Sequence, residues 1–156
     1  MKPQAQRGYT YIGLLILVAV TATLSAGLLR TGTVVQRHAA EQDLLDAGSE
    51  LANALYSYAR ATPQGKNPRP QRVEDLLRDP RFTHTTVRHL RSVPLDPMTG
   101  RARWGELLSE SAPGIDAFYS LSDLQTERTT FTAKFADFAD KRNYRDWLFD
   151  EGLAQR

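Results

Sequence analysis

Apolar and polar positions alternate in two different ways along this chain. From Gly8 to Leu29 (GYTYIGLLILVAVTATLSAGLL) no charged residue occurs, with Arg7 on one side and Arg30 on the other. At about 1.5 Å rise per residue this run would make a helix of roughly 33 Å. A hydrocarbon core is about 30 Å thick. A cleaved secretory signal has an apolar core of only about 7–15 residues and a small-x-small cleavage site, whereas Leu24 occupies a small-residue position in Leu24-Ser25-Ala26. The run therefore reads as a retained anchor.

After Arg30 the pattern becomes amphipathic. Leu44, Leu51, Leu55, Tyr58 and Thr62 fall on one helical stripe, with Leu45, Ala52 and Ala59 beside it. Glu41, Asp43, Asp46 and Glu50 lie mostly off that stripe, so one face is expected to be core. Joined to the anchor, this gives one helix of about 54 residues, roughly 80 Å long. Gly27, Gly32 and Gly48 each weaken it by about 1 kcal/mol against Ala, which favours a bend near Gly27–Gly32. Pro63 ends it, because proline disfavours helical geometry in the residue before it.

TPQGKNPRPQ (62–71) is a loop, and Arg72 to Arg78 is a short helix stopped before Pro80. Trp104–Ser109 and Ala117–Ser122 read as strands joined by a turn through Pro113 and Gly114. Asp123–Thr130 is loop-like. Phe131, Phe135 and Phe138, at i, i+4 and i+7, predict a short helix with an aromatic core face. Tyr144–Phe149 predicts a last strand with Arg145, Trp147 and Phe149 on one face, and a frayed tail after Glu151. The expected fold is α+β, a long N-terminal helix packed on a small antiparallel sheet. Its parts are a leader 1–8, a transmembrane helix 9–29, an amphipathic helix 30–62 and an α+β globular region 63–156.

Composition narrows the chemistry. The chain has 156 residues, no Cys and a formal net charge of +2. Thiol chemistry and disulfides are excluded, and bulk charge does not call for nucleic acid. His38, His84 and His89 are the only histidines, and they do not show the spacing of a metal site. Neither a Gly-x-Ser-x-Gly elbow nor a phosphate-binding glycine loop is present. Residues 60–103 carry ten Lys or Arg against four Asp or Glu, and residues 104–156 six against ten. Three readings fit that asymmetry: a solvated surface, basic and acidic faces meeting between subunits, or DNA binding by the basic stretch. Only Phe82 interleaves the basic stretch with an aromatic ring.

The residues around the anchor's start, RGYTYIGLL (7–15), resemble the cleavage motif of type IV prepilins and type II secretion pseudopilins. The resemblance implies cleavage between Gly8 and Tyr9 by an inner-membrane prepilin peptidase and N-methylation of Tyr9. The family usually carries a Glu four residues after the cleavage-site aromatic, and Gly13 stands there. That departure implies a minor or tip role, or a relative outside the filament. The string SVPLDPMTG (92–100), followed by Trp104, is similar to a pseudopilin turn segment, and Tyr144 to Phe149 resembles the closing string of some relatives that share the Gly. Together these imply a pilin-like fold and a non-enzymatic, structural role in protein secretion. They also imply a single-pass inner-membrane protein with a periplasmic domain, whose partners are prepilin peptidase and other pilin or pseudopilin subunits. Major pseudopilins bind calcium in a C-terminal loop through oxygen ligands, which are not matched to residues of this chain; Asp116 and Asp123 are candidates but read better as lone surface carboxylates, and no site is assigned. No other cofactor is expected. Within the anchor, Ala22 with Ala26 and Thr23 with Gly27 are spaced for close helix packing, although such residues are common in any membrane helix. The competing reading is a single-pass membrane protein whose periplasmic domain binds a partner outside any filament.

Overall fold

The structure, a computed structural model, describes the backbone of residues 8–156 and the side chains of residues 11–21 and 36–156. The expected leader, apart from Gly8, lies outside the described residues. The chain divides into two compact units, residues 1–38 and 39–156. Helix α1 is assigned over Gly8–Arg60.

From Tyr11 to Val20 the described side chains are apolar on every side of the helix. Tyr11, Ile12, Leu14, Leu15, Ile16, Leu17, Val18 and Val20 are all exposed. Thr21 does not interrupt this character, because its hydroxyl donates to the carbonyls of Leu17 and Val18, each at 3.0 Å. Among the described residues no helix is long and apolar enough to cross a membrane. Of the expected span 9–29, only residues 11–21 have described side chains.

The second unit is α+β. It contains the C-terminal part of α1, a short α2 (Glu74–Leu77), and strands β1 (Gly105–Leu108), β2 (Ile115–Tyr119) and β3 (Phe149–Asp150). The three strands form one antiparallel sheet in the order β1-β2-β3. Glu106 pairs with Phe118, and Phe118 with Phe149, while the register shifts between Leu107 and Leu108. The β1–β2 turn works because Gly114 has φ of +132°, a conformation costly for any residue with a Cβ. Leu44, Leu45, Leu51, Ala52, Leu55 and Tyr58 of α1 are buried, as the stripe predicts. They join one cluster with Phe118, Phe138, Tyr144, Trp147 and Phe149.

Four local expectations are corrected. Glu41 is not on the solvent side. It is fully buried, and its Oε1 accepts from the Tyr144 hydroxyl at 2.7 Å and the Glu127 N–H at 2.9 Å. Periodicity counts a carboxylate as polar, but here loop backbone and a tyrosine supply the hydrogen bonds that burial demands. Tyr144–Phe149 is not a strand. Tyr144–Asp146 is a 3-10 turn, and only Phe149 and Asp150 pair in the sheet. Tyr144 and Trp147 are both fully buried, and residues three apart share a face in a turn but not in a strand. Arg145 accordingly points to water and pairs with Asp123 at 2.9 Å. The aromatic helix is a 3-10 segment, Ala133–Phe138, kinked at Phe135, with Phe131 ahead of it. Finally, the tail is ordered as a 3-10 segment Glu151–Gln155. Asp150 accepts from the Leu153 N–H at 2.9 Å, and Leu153 is buried.

Gly48 decides how closely α1 approaches the sheet. A Cβ built there would lie 2.2 Å from the Phe149 ring. Propensity alone favours Gly48→Ala by about 1 kcal/mol. Displacing a packed aromatic ring costs about 1–3 kcal/mol or more. We expect overpacking to win, with G48A lowering stability by about 2 kcal/mol in urea denaturation. A stabilised G48A would show that the helix and β3 are less tightly apposed.

Candidate functional site

The sequence-predicted processing site lies at the start of α1. Gly8 and Tyr9 have helical backbone there, and their side chains lie outside those described. Ala22, Thr23, Ala26 and Gly27, the expected membrane packing positions, likewise have no described side chains. Gly13 is described, and a Cβ added to it meets nothing within 4 Å. The chain's own fold therefore does not require glycine at position 13.

The densest polar cluster of the second unit sits at the C-terminal end of α1. Arg81 is its centre. Its guanidinium lies over the Tyr58 ring, 3.5 Å from the centroid. One terminal nitrogen donates to Tyr58 O at 2.8 Å and to Asp79 Oδ2 at 2.6 Å. The other donates to Thr62 Oγ1 at 2.6 Å and to Asn67 O at 2.9 Å. Nε donates to Asp79 as well. A cation is thus placed at the negative end of the helix, on a carbonyl that has no intrahelical partner. The same side chain fastens the proline-rich loop that leaves the helix.

Asp79 is fully buried, and burial by itself would raise its pKa. The Arg81 side chain and backbone N–H, followed by His89, outweigh that and hold the carboxyl below its ordinary value. His89 Nε2 lies 3.2 Å from Asp79 Oδ2, and His89 Nδ1 lies 2.8 Å from Ser57 Oγ. An ionised Asp79 only accepts, so Nε2 carries the proton. Nδ1 and the Ser57 hydroxyl form the second bond of the ring. Burial is the main cause that raises the Tyr58 phenol, and Arg81 opposes it.

Ser57, His89 and Asp79 thus form the chain of contacts that a hydrolase triad uses. The rest of such a site does not follow. Ser57 lies inside α1, where backbone N–H groups are bonded to the preceding turn and cannot stabilise an oxyanion. The Asp79 charge is already shared with Arg81. The arrangement is suited to joining the helix end, the loop and the 87–90 segment. Sequence reasoning weighed His84 and His89 as metal ligands and missed Arg81. The string Asp79-Pro80-Arg81 was the available signal, since it turns the arginine back onto the carboxylate. His84 is exposed, while the His89 ring is buried.

The SVPLDPMTG segment is a second built feature. Asp96 is fully buried. Its carboxylate accepts from the Met98 N–H, the Thr99 hydroxyl and the Ser120 hydroxyl, each at 2.9 Å. Gly100 closes the turn with φ of +69°, and Trp104 Nε1 donates to Pro94 O at 2.9 Å. Asp116 is paired with Arg69, and Asp123 with Arg145. Among the described residues no group of three or more His, Cys, Asp or Glu could hold a metal ion.

No protein-family model matches the chain, no curated protein matches it, and no solved structure matches it.

Removing the Asp79 charge leaves Arg81 buried and uncompensated, a change that costs about 3–5 kcal/mol. We expect Asp79→Asn to destabilise the protein by about 3 kcal/mol at pH 7. The folded pKa of Asp79 lies below the unfolded value of about 3.9. Its stabilisation is therefore complete above that value and is lost as pH falls through the folded pKa. Urea denaturation of both proteins across that window should show the gap between them narrowing with acid. A gap independent of pH would rule out this role for the carboxylate.

Proposed function

We propose that this chain is a pseudopilin-like subunit, minor or at the tip, of a type II secretion or type IV filament system. In this reading prepilin peptidase cuts between Gly8 and Tyr9, and Tyr9 is methylated. Residues 9–29 hold the protein in the inner membrane, with the N-terminus cytoplasmic and the second unit periplasmic. The anchor and the amphipathic part of α1 together make the long pilin-like helix. Its role is mechanical, in protein transport, and it performs no chemistry of its own.

The observation that carries the reading is the helix of the first unit. From Tyr11 to Val20 its apolar side chains are exposed all round. A helix apolar on every side is stable only when lipid or other helices cover it. The basic residues Lys2 and Arg7 precede it, and the charge-free run continues to Leu29. Further support comes from the second unit, where a helix packs one face into a core shared with a small antiparallel sheet. The internally bonded Asp96 turn gives the pseudopilin-like string a structural reason to exist.

Gly13 favours a second reading, a single-pass inner-membrane protein with a periplasmic partner-binding domain outside any filament. The open space around Gly13 means that a glutamate there would be tolerated by the chain itself. Its absence therefore concerns contacts with other subunits. An ionisable side chain within a membrane segment is normally kept for a function.

Intact mass and N-terminal sequencing of the protein from membranes, with and without prepilin peptidase, separate the readings. We expect a chain that begins at methylated Tyr9 only when the peptidase is present. A chain that begins at Met1 in both cases would remove the filament reading. Gly13→Glu is expected to change the distribution of a processed subunit along the filament; an unchanged distribution would remove the tip assignment.

A further inference from the structure

A count of charges along the sequence understates the basic surface of residues 60–103. Three of the four acids in that stretch are withdrawn from the surface. Asp75 is buried and accepts from the N–H groups of Gln71 and Arg72. Asp79 is committed to Arg81 and His89. Asp96 is committed to its own turn and to Ser120. Only Glu74 stays exposed. Against it stand Arg72, Arg78, Arg88, Arg91, Arg101 and Arg103, all exposed. None of the six is within ion-pair distance of a carboxylate among the described residues.

Five of these arginines belong to segments packed around α2. The Asp79 N–H donates to Val87 O at 3.0 Å, which brings the backbone of Arg78 and Arg88 alongside each other. The N–H groups of His89 and Leu90 both donate to Leu76 O, which places Arg91 at the end of the same strip. On the other side Arg103 lines a groove with Val73, Glu74 and Glu106, and Arg72 precedes Val73 in the chain. The surface is also poor in apolar groups. Its exposed large hydrophobic residues among those described are Leu95 and, in the groove beside Arg103, Leu121.

Protein interfaces are built on an apolar, often aromatic core. Nucleic-acid interfaces are more polar and far more positive. Phe82, the only Phe, Tyr or Trp in the stretch, is half-buried, so no exposed ring offers a stacking platform for single strands. Guanidinium groups suit phosphate oxygens, which they can engage through two parallel bonds. We infer that this arginine face binds the phosphate backbone of duplex DNA without reading its bases. The expectation that a net charge of +2 disfavours nucleic acid set buried acids against exposed bases. This inference does not depend on cleavage at Gly8.

The test uses the full chain in detergent micelles and a short fluorescent duplex, followed by anisotropy over a range of salt. Each phosphate contact contributes about −0.9 to the slope of log K against log salt. Arg88→Ala with Arg91→Ala should reduce the slope by about 1.8 and weaken binding about eightfold per lost contact at about 0.1 M salt. Both side chains are exposed, so an unchanged thermal melt verifies the fold of the variant. Lys141→Ala with Arg142→Ala, outside the face, should leave the affinity within about twofold, a change of less than one phosphate contact. Absence of binding at low salt would overturn the inference, as would binding that the Arg88/Arg91 variant leaves intact. Tighter binding to the matching single strand would overturn duplex recognition. Preferential binding to phosphatidylglycerol nanodiscs over the duplex would assign the face to lipid instead.

Discussion

A guanidinium taken out of water must have its donors matched, and the second unit is arranged around that requirement. Arg81 is almost wholly buried, and it reaches a helix-end carbonyl, a threonine hydroxyl, a loop carbonyl and a carboxylate at once. Each partner comes from a different part of the chain. The ion pair is a weak source of net stability, since desolvation offsets much of the Coulomb attraction. The same bonds tie the loop after α1 to the helix end and to Asp79. The segment 87–90 then follows, because Val87 O and the His89 ring are both engaged with Asp79.

The apolar side of the architecture was readable from periodicity. Leu44, Leu51, Leu55 and Tyr58 are core because a 3.6-residue repeat brings them to one face. The loop after Pro63, the short α2, and β1 and β2 with their glycine turn were also legible, because proline and glycine act locally. The C-terminal segment was not. Tyr144 and Trp147 bury together, and their rings meet edge to face at 5.2 Å. Alternation rules then read Arg145 onto the wrong side, because tertiary packing had set the spacing.

Polar burial was the least legible feature. Glu41, Asp79 and Asp96 look like ordinary surface acids in a hydropathy pattern, yet all three are buried. The partners of Glu41 are distant in sequence, and those of Asp79 and Asp96 depend on turn geometry that a hydropathy pattern does not encode. Asp96 was partly visible, since consecutive prolines and Gly100 marked a turn. What could not be seen was that Ser120, from beyond β2, completes its shell. The identity of the candidate site follows the same rule: the residues were visible, and their convergence was not.

The bonds of Glu41 have a temporal consequence. They join the start of the second unit to Glu127 and to Tyr144, which is 103 positions away. The ring of Phe149 likewise fills the space left by Gly48. Contacts between such distant points close large loops, which costs chain entropy and slows folding. A chain delivered N-terminus first holds its amphipathic helix uncovered until nearly the last residues arrive. During that interval the helix presents Leu44, Leu51 and Leu55 to its surroundings, and the final segment acts as the latch that ends its exposure.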